Sequence, residues 1–149
     1  MRRRLIGFVA VAMAVAACGG GVDSLTVSDQ RIGEPTGPNA AMYFTVESNS
    51  ADRLLEASTA VAASVQIHET VMDDHGAMGM HALDSLDVPA DTEVVLEPGG
   101  THLMLIDVDR LRVGESVEVV LTWENAGEMK LDVEVVEAAD TMGDDGRDG

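Results

Sequence analysis

The sequence predicts an all-β chain folded as an antiparallel β-sandwich. Three observations carry this: apolar and polar residues alternate at period two over most of the chain, the candidate strands are short and separated by Gly, Pro, Asn and Asp clusters, and no long stretch has a helical period. A length of 149 residues fits one domain and is too short for an enzyme with separate cofactor and substrate domains. Nine Lys and Arg against 27 Asp and Glu give a net charge of −18, which excludes a basic nucleic-acid binder. Hydrophobic residues make up 46%, too many for a wholly disordered chain.

Taken in order, residues 1–17 read as an export signal. Arg2, Arg3 and Arg4 are followed by an apolar stretch from Leu5 to Ala17, well short of the ~20 residues needed to cross a bilayer. The run Val15-Ala16-Ala17-Cys18 before Gly19-Gly20-Gly21 looks like a bacterial lipoprotein processing site, with Cys18 as the lipidated first residue of the mature chain. Acyl chains there supply the apolar burial that an acidic chain cannot, so the expected location is extracytoplasmic, lipid-anchored to the bacterial cell membrane. Residues 18–23 are small and polar and read as a flexible tether. Cys18 is the only cysteine, so no internal disulfide forms and the core holds by packing.

Residues 24–137 form the predicted domain. Strand candidates are Leu25 to Val27, Ala41 to Glu47, Arg53 to Ser58, Ser64 to Met72, Met78 to Leu83, Glu93 to Leu96 and His102 to Val108. A hairpin then joins Val117, Val119, Leu121 and Trp123 to Met129, Leu131, Val133 and Val135 across Asn125-Ala126-Gly127. Gly99-Gly100 is expected to form a tight turn that starts the strand at His102. Residues 138–149 are rich in Asp and Gly without an apolar period and read as an acidic disordered tail.

All four histidines, His68, His75, His81 and His102, fall within a 35-residue span, with Met72, Met78, Met80 and Met104 in or just beyond it. Imidazole nitrogens and thioether sulfurs suit soft or borderline metals, above all Cu(I). A hairpin centred on Asp74 would place His68 directly opposite Met80, and His102 and Met104, two apart on one strand, share a face. Met72 and Met78 are expected as gap-fillers in the core, with auxiliary metal binding as the alternative. His75 is expected as an exposed turn histidine with the same alternative, and His81, facing away from Met80, is left out of the site.

The spacing His68, eleven residues, Met80, twenty-one residues, His102, one residue, Met104 is similar to the motif of the periplasmic copper chaperones of the PCuAC family. Surrounding text matches as well: Asn39-Ala40-Ala41-Met42-Tyr43-Phe44, Val65-Gln66-Ile67-His68-Glu69, Leu96-Glu97-Pro98-Gly99-Gly100-Thr101-His102-Leu103-Met104-Leu105 and Ala126-Gly127-Glu128. Thr70 departs from the methionine that relatives often carry there. The resemblance implies a cupredoxin-like fold, with His68, Met80, His102 and Met104 as Cu(I) ligands. The function it implies is delivery of copper, toward the copper A site of cytochrome c oxidase, with copper buffering or storage at the cell surface as the alternative. It implies as partner a copper-accepting protein, such as a cytochrome oxidase copper subunit or another copper chaperone. We expect a monomer held at the membrane by its lipid, with no nucleic-acid partner.

Two rivals are weaker on the residues. An electron-transfer cupredoxin needs a Cys thiolate ligand, and the only cysteine lies at the tether. A metal-dependent enzyme needs an open coordination position and a placed acid or base. Glu69, next to His68, points to the opposite strand face, so no catalytic residue and no turnover are expected.

Overall fold

A computed structural model of the chain describes residues 23–141. The signal segment 1–17, Cys18, the tether up to residue 22 and residues 142–149 lie outside the described residues. The strands are β1 (Leu25–Gly33), β2 (Ala40–Ser48), β3 (Asp52–Ser58), β4 (Ala62–Met72), β5 (Met78–Leu83), β6 (Leu86–Val88), β7 (Thr92–Leu96), β8 (Thr101–Val108), β9 (Ser116–Trp123) and β10 (Gly127–Val136). Hydrogen bonding links them in the order β5-β4-β8-β2-β1-β10-β9-β3-β6, with β7 paired to β2 beside β8.

This path closes on itself as two facing layers. β3 and β4 stand near opposite ends of the path yet touch each other. One core cluster joins Phe44, Val46, Leu103 and Leu105 from one layer to Leu54, Leu121, Trp123 and Val133 from the other. Period-two alternation produces this: on β2, Met42, Phe44 and Val46 are fully buried, and on β8 Leu103 and Leu105 are. Each such side chain stabilises the fold by about 1.5–3 kcal/mol. The residues between them, Tyr43 on β2 and His102 and Met104 on β8, therefore face outward.

The expected all-β sandwich is what forms, with one departure from purely antiparallel pairing. β1 runs parallel to β10 through Arg31, Ile32 and Gly33 while also pairing antiparallel with β2. β1 manages both because its register to β2 shifts by one residue between Ser28 and Arg31, at Asp29, whose φ is 54°. The extra residue flips parity, so Val27 before it and Ile32 after it both pack on the core while Arg31 points outward beside Tyr43. β6, only three residues long, is too short to display a period and was not among the expected strands.

The first four residues assigned above to the tail, 138–141, are ordered. Ala138–Thr141 form a 3-10 turn, with Thr141 buried and its carbonyl accepting a 2.8 Å hydrogen bond from the Arg31 guanidinium.

Candidate metal centre

The β4–β5 hairpin turns about His75, not Asp74. Asp73 and Ala77 close the loop: the Ala77 carbonyl accepts from the Asp73 N–H at 2.9 Å, and the Gly76 N–H donates back to the Asp73 carbonyl at 3.0 Å. Gly76 supplies the left-handed residue this three-residue loop requires (φ 80°). Asp73 Oδ1 also accepts from the His75 and Ala77 N–H groups. The register is thus two residues from the expected one: His68 faces Ala82, and Met80 faces Thr70. A two-residue slip preserves the face, so His68 and Met80 remain on one side as diagonal neighbours, about 7–8 Å apart at Cα.

Across β4 and β8, His68 pairs directly with His102, and Gln66 with Met104. Their ring centroids lie 5.7 Å apart in an edge-on arrangement. His68, Met80, His102 and Met104 therefore share the outer face of three adjacent strands, near the point where β8 begins. The two imidazoles form the centre, with Met80 on one side and Met104 on the other.

The start of β8 is set by a turn over Glu97-Pro98-Gly99-Gly100. The Gly100 N–H donates to the Glu97 carbonyl at 3.0 Å and Gly99 has φ 82°, the conformation that a Pro-Gly pair favours. The expected role of the glycine pair is borne out. The Gly100 carbonyl accepts from the Thr70 N–H at 3.2 Å, locking β8 to β4, and meets His102 Nδ1 at 3.4 Å.

The two imidazoles differ. His102 is only 4% exposed. Burial pushes its pKa below the ordinary 6.5, the Gly100 carbonyl opposes that shift and the nearby His68 adds to it, so the ring is neutral at physiological pH. With Nδ1 turned to Gly100, Nε2 is its free donor atom. His68 is half-buried and donates from Nε2 to Gln66 Oε1 at 2.8 Å, which leaves the lone pair on Nδ1. That Nδ1 atom is buried and has no hydrogen-bond partner among the described residues. An unpartnered buried nitrogen is costly unless something else occupies its lone pair, and a soft metal ion fits.

Beyond the four residues, sequence reasoning missed two neighbours on the same face. Gln66 orients His68. Tyr43 sits with its ring centroid 6.2 Å from that of His102 and carries the Arg31 guanidinium 5.5 Å from its own centroid. Burial raises the Tyr43 phenol above its ordinary 10 despite the opposing Arg31 charge, so it is neutral and walls His102 from water. For Gln66 the signal was available, since it stands two residues before His68. For Tyr43 it was not, because its adjacency depends on β2 pairing with β8.

Met72 and Met78 do not fill the core. They form a directly opposed pair on the same face as His68 and Met80, 67% and 62% exposed. His75 is exposed in the loop, as expected, and His81 faces away, opposite Glu69. No cluster of three or more His, Cys, Asp or Glu side chains able to hold a metal occurs among the described residues, so the donors gathered here are imidazoles and thioethers. No helix among the described residues is long and apolar enough to cross a membrane.

Fold and site together define a small all-β domain that presents two histidines and two methionines on the outer face of one layer. The chain belongs to the family described as "Putative lipoprotein LpqE-like", whose model matches residues 25–135. A curated relative from Leifsonia xyli subsp. xyli (strain CTCB07), "Putative lipoprotein Lxx21020", is 30% identical over 80 residues, 53% of this chain; the match spans about half, 48%, of that relative's length.

Solved structures it is similar to include PCuAC domains, which agrees with the resemblance seen in the sequence. The copper-bound PCuAC domain from PmoF2 is 26% identical with a TM-score of 0.63, over 76% of this chain and 92% of that one. The apo form of the same domain gives 0.65 at 26% identity over 79% and 94%. The solution structure of CuI-DR1885 from Deinococcus radiodurans gives 0.58 at 25% identity over 85% of each chain.

Proposed function

We propose that this chain is an extracytoplasmic Cu(I) metallochaperone, held at the membrane by a lipid on Cys18, that binds copper through His68, Met80, His102 and Met104. One observation carries the reading: four soft donors from three strands lie on one face around a histidine nitrogen that has no hydrogen-bond partner among the described residues. The likeness to copper-bound PCuAC domains and to CuI-DR1885 supports it. Thioethers need no deprotonation and do not oxidise to disulfides, which suits a compartment beyond the membrane. Two imidazoles and two thioethers leave the charge of Cu(I) uncompensated, so the ion is held firmly but exchangeably, as a carrier requires. The acidic surface raises the local cation concentration. An acceptor approaching the outer face replaces the ligands one at a time, exposed Met80 first and buried His102 last. The chemistry is transfer without turnover, and the chain is no enzyme.

The acceptor we propose is the copper A site of cytochrome c oxidase, reached directly or through another chaperone. A deletion strain separates delivery from buffering. Lost oxidase activity that added copper restores supports delivery, whereas normal oxidase activity with raised copper sensitivity would make the chain a surface copper store.

A further inference from the structure

The tip of the β4–β5 hairpin is anomalous for a domain whose core is built mainly of aliphatic residues. Met72, Met78 and Met80 are 67%, 62% and 58% exposed, while Met42 in the core is fully buried. The three exposed residues share one face. Met72 and Met78 are directly opposed, with Cβ atoms about 5 Å apart, and Met80 follows Met78 by two residues and lies diagonal to Met72. Apart from these thioethers, that stretch of the face holds only Thr70, and the next pair inward is His68 with Ala82. Methionine is common at protein interfaces too, but the residues that anchor them are chiefly Trp, Tyr and Arg, and residues 70–80 of the hairpin contain none of these. Three unbranched thioethers at this spacing can turn their sulfurs toward a common point.

We propose that Met72, Met78 and Met80 form a second, thioether-only Cu(I) site, which loads the His68–His102 centre through the shared ligand Met80. Three neutral sulfurs select a soft univalent ion and reject Ca²⁺, Mg²⁺ and Zn²⁺, which prefer oxygen or nitrogen. Asp73 and Asp74 in the adjoining loop supply negative charge nearby without being ligands. Transfer inward is ligand exchange about Met80: the ion releases Met72 and Met78 as it gains His68 and then His102. It stays Cu(I) throughout, and no proton moves, because thioethers and neutral imidazoles bring none. The capture site stands on the methionine geometry alone; only the inward step rests on the proposed function.

The test uses the whole chain with Cys18→Ser, so that no thiolate competes, labelled with ¹³C at the methionine methyls. Each signal is assigned by single Met→Leu substitution, and Cu(I) is titrated anaerobically. Because Met80 is shared, the filled centre leaves Met72 and Met78 as a two-sulfur seat for the next ion: the Met80 and Met104 methyls should shift with the first equivalent and those of Met72 and Met78 with the second, while Zn²⁺ moves neither of the latter pair. Met72→Leu/Met78→Leu should bind one equivalent fewer and keep its first-equivalent affinity within about twofold, well inside the tenfold that corresponds to 1.4 kcal/mol. Stationary Met72 and Met78 methyls throughout, or an undiminished second equivalent in the double variant, would overturn the second site. If Met72, Met78 and Met80 move together while Met104 stays still, the methionine site stands and the four-ligand centre falls.

Discussion

Gln66→Leu should weaken Cu(I) binding about tenfold without unfolding the protein. Gln66 accepts from His68 Nε2 at 2.8 Å, and this bond keeps the proton on Nε2 and the lone pair on Nδ1. Removing a group that fixes a ligand's tautomer and ring orientation typically costs about 10–100-fold in metal affinity. Gln66 is exposed, so water can partly replace the lost acceptor, which places the effect at the low end, about 1.4 kcal/mol. Leucine preserves the bulk that Gln66 presents to Met104 across the strand pair. Gln66→Glu retains the acceptor and adds a negative charge, so it should bind Cu(I) at least as tightly as the parent. Competition against a chromophoric Cu(I) chelator at neutral pH measures all three proteins, with thermal unfolding as the control for fold. Parent-like affinity in Gln66→Leu, or an equal loss in Gln66→Glu, would refute the role assigned to this hydrogen bond.

Replacing a ligand should cost more than replacing its support. His68→Ala, His102→Ala, Met80→Leu and Met104→Leu should each lose more than the ~100-fold upper end for outer groups in the same competition assay. The His102 pKa is held below 6.5 in the fold, so its share of apo stability is complete above pH 6.5 and is lost as pH falls through the lower folded value. Acid titration followed by circular dichroism checks this, and Cu(I) affinity should fall in acid as protons compete with copper for the imidazole ligands. Asp52 is buried, with Oδ1 accepting from the Arg53 and Asn125 N–H groups at 2.7 and 2.9 Å and Oδ2 from the Ala126 N–H at 3.0 Å. Asp52→Ala should therefore destabilise the domain by about 3 kcal/mol in denaturant unfolding with little change in metal affinity. Inhibiting lipoprotein processing should leave a heavier precursor, and an unchanged mass would count against lipidation at Cys18.

Much of the fold was legible because its information is local. Met129 to Val135 alternates strictly and Val117 to Trp123 does so except at Val120, and the two strands pair in the hairpin so predicted, Trp123 against Gly127 through Val117 against Val133. The site face was legible for the same reason, since His102 and Met104 cannot leave one side of a strand while Leu103 and Leu105 are buried. The β4–β5 register was not, because it depends on Gly76 taking the left-handed position, which moves the loop centre by one residue and every pair by two. Nor could the sequence reveal that His68 pairs with His102, that Tyr43 shields the latter or that β1 bulges at Asp29 to join β10. Each follows from strands brought together by the whole sandwich. The exposure of Met72 and Met78 escaped because methionine at period two reads equally as core or surface until the layers are placed.

The most direct measurement is X-ray absorption at the copper edge of the Cys18→Ser chain carrying one equivalent of Cu(I). Two nitrogen and two sulfur scatterers in the first coordination sphere, with the sulfur shell diminished in both Met80→Leu and Met104→Leu, are the expected result. A sphere lacking either element, or one unchanged by both substitutions, would contradict the assignment of copper to the outer face of β4, β5 and β8.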